Sequence, residues 1–264
     1  MKNKPIIVIA GEPNSIFLEI FFKALKKKFK SPLILICSYK LLILQMKKLK
    51  FKKKIKILDH KNYDNIVLDN NSINLININF NQKKAFEKIS KKSNKFIEES
   101  FEVAFKILKS GKIYKFINGP ISKKYFLSKK YLGITEYISK KFYSKQSCML
   151  IYNKKLSVST VTTHLPIKQV AKNINKKTIS EKVFLIHNFY KKILKINPRI
   201  GVLGLNPHCE SVHKFNEDEK IIRPLIKKLK KNYKISGPFP ADTIFLKNIR
   251  KKFDVIIGMY HDQV

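Results

Sequence analysis

Three histidines stand where imidazoles can do metal chemistry. His164, His208 and His261 each close a short run rich in Val, Ile, Thr and Leu: LSVSTVTTH (Leu156–His164), IGVLGLNPH (Ile200–His208) and FDVIIGMYH (Phe253–His261). Such runs read as buried strands ending in polar turns. In open α/β sheets, ligands collect outside the carboxyl ends of the strands. Three imidazoles delivered there by separate strands can share one divalent cation, leaving coordination positions open for a substrate. Any one of them could be an ordinary loop residue; their common placement points to a shared metal site. His60 and His187 lack that placement and read as surface or packed residues. Cys209 adjoins His208 and could be a ligand, or simply a small neutral neighbour.

The elements that must position these residues alternate. Ile6–Ala10 and Leu33–Cys37 read as strands, followed by helices over 15–29 and 41–49. The Lys- and Asn-rich stretch 50–84 is ill-defined, although SINLININF (Ser72–Phe80) has the alternation of an edge hairpin. An amphipathic helix is expected over 91–110, stopped by Gly111. Strand Ile113–Ile117, a loop at 118–123 and a helix containing 136–142 come next. Met149–Ile151 should pair with Leu156–Val161, and a helix should cover 180–194. Strands alternating with helices predict the α/β class with a largely parallel sheet.

Bulk properties narrow the function. At 264 residues and 44% hydrophobic content, the chain can bury one large core or two smaller ones. No apolar stretch approaches the roughly 18 residues of a membrane helix. Glu12 interrupts the leader-like start, and Cys37, Cys148 and Cys209 lack CxxC spacing. The expectation is a cytoplasmic protein with free thiols and no membrane partner. The net charge of +38 suggests nucleic acid, yet only three of the 56 basic residues are arginines (Arg199, Arg223, Arg250). Readers of nucleic acid use arginine forks as well as lysine. Lysine spread along a chain also rich in Ile, Asn and Phe matches A+T-biased codon usage, so no specific nucleic-acid partner is expected. The eight glycines form neither G-x-G-x-x-G nor a P-loop, and G-x-S-x-G and H-E-x-x-H are absent.

Read in order, the loops carry G-E-P (Gly11–Pro13), N-G-P-I-S-K (Asn118–Lys123), G-I-T-E-Y (Gly133–Tyr137), T-T-H-L-P (Thr162–Pro166), G-L-N-P-H (Gly204–His208), G-P-F-P-A-D-T (Gly237–Thr243) and M-Y-H-D-Q (Met259–Gln263). The series resembles the 4-hydroxythreonine-4-phosphate dehydrogenase family of pyridoxine biosynthesis. The resemblance implies two α/β/α domains like those of the isocitrate and isopropylmalate dehydrogenases, here about 1–125 and 126–264. It implies a homodimer whose subunits share the active site. It also implies oxidation of 4-phosphooxy-L-threonine with NAD or NADP, then loss of CO2 to give 3-amino-2-oxopropyl phosphate. By the same match, His164, His208 and His261 bind one divalent metal (Zn, Mg, Co or Mn). Asp242 and Asp262 then contact substrate or the ligands, Lys123 contacts a phosphate or carboxylate, and Thr135 binds substrate. Asp242 and Thr135 could equally cap the helices they begin.

The chain departs from the family in places. Ile134 stands where the family has a substrate-contacting histidine, and the opening motif is eroded, with Gly11-Glu12-Pro13-Asn14-Ser15 where the family has G-D-P-A-G. Cys209–His213 replaces a glycine-rich stretch, so that loop must take another path. Family members also continue for several dozen residues beyond Val264. These departures leave a second expectation open: a catalytically inactive remnant of such an enzyme, retained for dimerisation or not retained at all. Two further readings compete with it, a basic nucleic-acid-binding protein and a three-histidine metallohydrolase.

Overall fold

The computed structural model describes residues 4–60, 67–128, 130–142, 146–213 and 215–264. The chain divides into two compact units, Met1–Tyr137 and Ile138–Val264. Each is built on a five-stranded sheet.

The first unit runs β1 (Ile6–Ile9), α1 (Phe17–Ala24), β2 (Leu33–Cys37), α2 (Tyr39–Lys48), β3 (Ile55–Leu58), β4 (Ile73–Asn77), α3 (Asn94–Lys109) and β5 (Phe116–Asn118); α4 (Ile134–Lys141) begins at its end. Its strand order is β3–β4–β2–β1–β5, and all pairings are parallel. β2 is buried at all five positions, as a strand covered on both faces must be. Ser38 caps α2 by accepting the Leu41 N–H, and Gly111 ends α3 with φ +74°, a left-handed stop that glycine adopts without strain.

Two expectations are corrected here. Ser72–Phe80 is no edge hairpin: β4 lies inside the sheet, parallel to both β2 and β3. Its alternation is deceptive because Asn74 is buried, its amide donating to the carbonyls of Leu33 (3.0 Å) and Asp69 (2.6 Å). β3 sits in a lysine-rich run where an edge strand needs few apolar residues; residues 61–66 of that stretch lie outside the described ones. The strand expected at 113–117 is displaced to Phe116–Asn118, with Ile113 packed in the core ahead of it.

The second unit runs β6 (Leu150–Ile151), β7 (Ser157–Thr160), α5 (Ile167–Asn173), α6 (Lys176–Phe189), β8 (Ile200–Leu203), α7 (Arg223–Leu229), β9 (Ile235–Phe239), α8 (Ala241–Ile244), α9 (Lys247–Arg250) and β10 (Val255–Gly258). The order is β6–β7–β10–β8–β9; β6 pairs with β7, as anticipated, in antiparallel orientation, and the rest are parallel. α6 opens on a reciprocal cap between Asn175 and Thr178 and packs Ile179, Val183 and Ile186 into the core. His187, on the same helix, lies edge-on to Tyr233 at 4.9 Å, the packed role expected of it. No helix among the described residues is long and apolar enough to cross a membrane.

At the amino ends of β8 and β10, Arg199 forks onto Asp254, with Nε to Oδ2 at 3.1 Å and Nη2 to Oδ1 at 2.9 Å; its backbone N–H adds a third bond at 2.8 Å. Burial alone would raise the Asp254 pKa, but the Arg199 guanidinium and N–H outweigh it and hold the carboxyl below its ordinary value. A carboxyl depressed in the folded state stabilises the fold above its unfolded pKa and loses that contribution as pH falls through the folded value. Arg199 is half-exposed, so solvent screening limits the pair to about 1 kcal/mol. Asp254→Asn should therefore lower the urea midpoint at pH 7, and the difference from wild type should fade below about pH 4. An equal difference at pH 7 and pH 3 would remove this assignment.

Candidate metal site

The three histidines sit on three neighbouring strands. β10 lies between β7 and β8, all three are parallel, and each is followed within a few residues by its imidazole: His164 after β7, His208 after β8 and His261 after β10. All are exposed beyond the carboxyl edge of the second sheet. The His164 and His261 rings are 6.0 Å apart, tilted by 31°. His208 does not complete the cluster: among the described residues, no group of three or more His, Cys, Asp or Glu side chains is close enough to hold a metal.

Hydrogen bonds tie the three loops to one another. Thr162, two residues before His164, donates its N–H (3.1 Å) and hydroxyl (2.8 Å) to the Met259 carbonyl, two residues before His261. Gln263 accepts the Met259 N–H at 2.7 Å and donates its amide to the Gly204 carbonyl at 2.9 Å, reaching the loop of His208. Thr162 and Gln263 belong to T-T-H-L-P and M-Y-H-D-Q, but sequence reasoning gave them no role. Their partners lie 97 and 59 positions away, and only the strand order reveals them.

The His261 Nδ1 is 2.8 Å from Asp262 Oδ1. With the proton on Nδ1, this bond orients the ring and leaves Nε2 as the donor for a cation. Asp242 is exposed in the first turn of α8, and no side chain caps that helix, whose N-cap is Pro240; the capping role is not realised. Burial pushes the Cys209 thiol above its ordinary value, the Asp218 carboxylate adds to this and Asp242 adds less, so Asp242 lies within electrostatic range of the His208 turn. Cys209 is itself buried, in keeping with a small packed neighbour.

That turn is strained. His208 has φ +56° and Cys209 φ +62°, a left-handed pair without a glycine. Each such residue costs roughly 1–2 kcal/mol.

Lys123 and Thr135 belong to the first unit. Lys123 is exposed at the start of a single helical turn, Lys123–Leu127, capped by Ser122 rather than by the lysine. Thr135 is the second residue of α4, half-buried and already inside the helix, so it is not the cap.

Comparison with known proteins gives this arrangement a lineage. Residues 28–264 match the family described as Pyridoxal phosphate biosynthetic protein PdxA. The chain is 33% identical over 263 residues to the 4-hydroxythreonine-4-phosphate dehydrogenase of Sulfurihydrogenibium sp. (strain YO3AOP1), covering 98% of this chain and 80% of that protein. It is 31% identical to the enzyme of the same name from Wigglesworthia glossinidia brevipalpis, covering 98% and 79%. The solved 4-hydroxythreonine-4-phosphate dehydrogenase of Klebsiella pneumoniae superposes with a TM-score of 0.81 at 23% identity, over 100% of this chain and 82% of that one. The last likeness speaks for the fold; the sequence matches reach further and take in every histidine-bearing strand end. On that extent of agreement, the chain belongs to the PdxA family of pyridoxal phosphate biosynthetic proteins.

Proposed function

We propose that this chain, as a homodimer sharing its active sites, oxidises the C3 hydroxyl of 4-phosphooxy-L-threonine with NAD or NADP. The resulting β-keto acid loses CO2 to give 3-amino-2-oxopropyl phosphate. The observation that carries the reading is the placement of His164, His208 and His261 at the carboxyl ends of three adjacent parallel strands, with two of the rings 6.0 Å apart. The donor set fits a divalent cation (Zn, Mg, Co or Mn), since neutral imidazoles on linked loops offer nitrogen donors and Asp262 fixes the ring of one. A site shared between subunits draws ligands from two chains, so one chain need not gather all three. When bound, the cation lowers the pKa of the reacting hydroxyl and the nicotinamide accepts hydride.

The protein's own part is placement. His261 is aimed by Asp262, and the loops of His164 and His208 are tied to that of His261 through Thr162 and Gln263. Asp242 offers an exposed carboxylate to the substrate's ammonium or to a ligand ring, Lys123 a cation to its phosphate or carboxylate, and Thr135 a hydroxyl. Within the second unit the hydrogen-bonded histidine loops are preset, and donors held in this way need little reorganisation as charge develops.

NADH formation, followed by absorbance with 4-phosphooxy-L-threonine, NAD and added divalent metal, tests the proposal. Turnover that EDTA abolishes is expected. A folded, metal-loaded protein without turnover would instead favour the inactive-remnant reading, for which Ile134 and the strained His208–Cys209 turn are the specific observations.

A further inference from the structure

Asp218 is fully buried, although it stands in the acidic run Glu217-Asp218-Glu219. Its carboxylate is directed at one loop. Oδ1 accepts the Leu205 N–H at 2.8 Å; Oδ2 accepts the Asn206 N–H at 3.0 Å and the Asn206 side-chain amide at 2.9 Å. Asn216 Oδ1 accepts the N–H of Asp218 at 2.9 Å and so anchors the residue itself. The fit is close: a Cβ added at Gly204 would lie 2.6 Å from Asp218 Oδ1 and 2.6 Å from Cys209 Sγ. The loop so held, Gly204–Cys209, carries the left-handed His208.

We propose that Asp218 is the positioning residue of His208. Its three accepted hydrogen bonds hold the loop in the turn that presents the imidazole beyond β8, and it acts only through that histidine. A carboxylate suits the task because it only accepts; an asparagine would turn an NH2 group toward N–H donors. Mutating such supporting partners typically lowers metal affinity about 10- to 100-fold. The proposal rests on His208 being a ligand, whereas the hold on the loop does not.

The test uses the whole chain, metal-free, as wild type, Asp218→Asn, Asn206→Ala and His208→Ala. Co2+ titration by visible absorption gives affinity, and amide hydrogen exchange over 201–212 gives the order of the loop. In Asp218→Asn, exchange at Leu205 and Asn206 should quicken more than tenfold while β10 keeps its protection, and Co2+ affinity should fall about 10- to 100-fold. Asn206→Ala removes the side-chain amide, which also donates to Glu217 Oε2 at 3.2 Å, and keeps both backbone bonds to Asp218, so it should shift both readouts less in the same direction; it decides the matter if Asp218→Asn does not fold. Wild-type exchange in the Asp218 variant overturns the proposal. So does wild-type Co2+ affinity in that variant when His208→Ala has lost the metal. If His208→Ala binds Co2+ as wild type does, the metal reading falls, and the exchange data alone decide whether Asp218 holds the loop.

Discussion

Replacing His208 with Ala is expected to abolish metal retention and turnover together. With three protein donors, loss of one leaves a two-point attachment, and the loss of affinity should exceed the roughly 100-fold upper range for an outer-sphere partner. Removing a single ligand should also cost nearly as much activity as removing all three, because residues acting as a unit are non-additive. His164→Ala and His261→Ala should therefore match His208→Ala, and the triple variant should be little worse. Metal content after dialysis, by elemental analysis, and NADH formation are the two measurements. His187→Ala serves as the control: its ring packs against Tyr233 on α6, so metal content should be unchanged. A His208→Ala protein that retains its metal and its turnover would remove the shared-site reading.

That each of the three histidines closes a strand is legible in the sequence alone, because each ends a β-branched run, and strand ends are where α/β sheets bind ligands. Their adjacency is not. It depends on the order β7–β10–β8, in which the last strand of the chain inserts between two earlier ones. Thr162 and Gln263 are hidden for the same reason, since their work is done across that inserted strand. Asp218 is hidden differently: an acidic triplet reads as a solvated face, and only burial separates it from Glu217 and Glu219. Asn74 misleads in the opposite sense, a polar residue inside a parallel strand that gives β4 the alternation of an exposed one. The capping alternative for Asp242 and Thr135 fails because each is the second residue of its helix, a distinction smaller than the precision of helix ends read from sequence.

Ile134→His should raise kcat/KM for 4-phosphooxy-L-threonine about tenfold to a hundredfold. Ile134 is the first residue of α4, half-buried beside Thr135, at the position where the family resemblance implies a histidine in contact with substrate. Isoleucine can neither donate nor accept a hydrogen bond, so a polar substrate group buried against it goes unpaired, at a cost of about 1–3 kcal/mol. Each 1.4 kcal/mol regained is a factor of about ten. The helix start supports the restored residue: the positive end of the helix dipole disfavours an imidazolium and keeps the ring neutral, able to donate from one nitrogen and accept at the other. The pattern of change identifies the contact. A lower KM at constant kcat would mean the group is paired equally in ground and transition states, whereas a higher kcat would mean it is paired only as the reaction proceeds. Ile134→Val, which alters packing without adding a polar atom, should leave both parameters near wild type. If a folded Ile134→His protein gains nothing, the substrate does not lack a partner at this position, and the case for a decayed enzyme loses its most specific residue. If turnover first becomes measurable in that variant, the wild-type chain retains the rest of the machinery, and a single side chain separates it from the activity of its relatives.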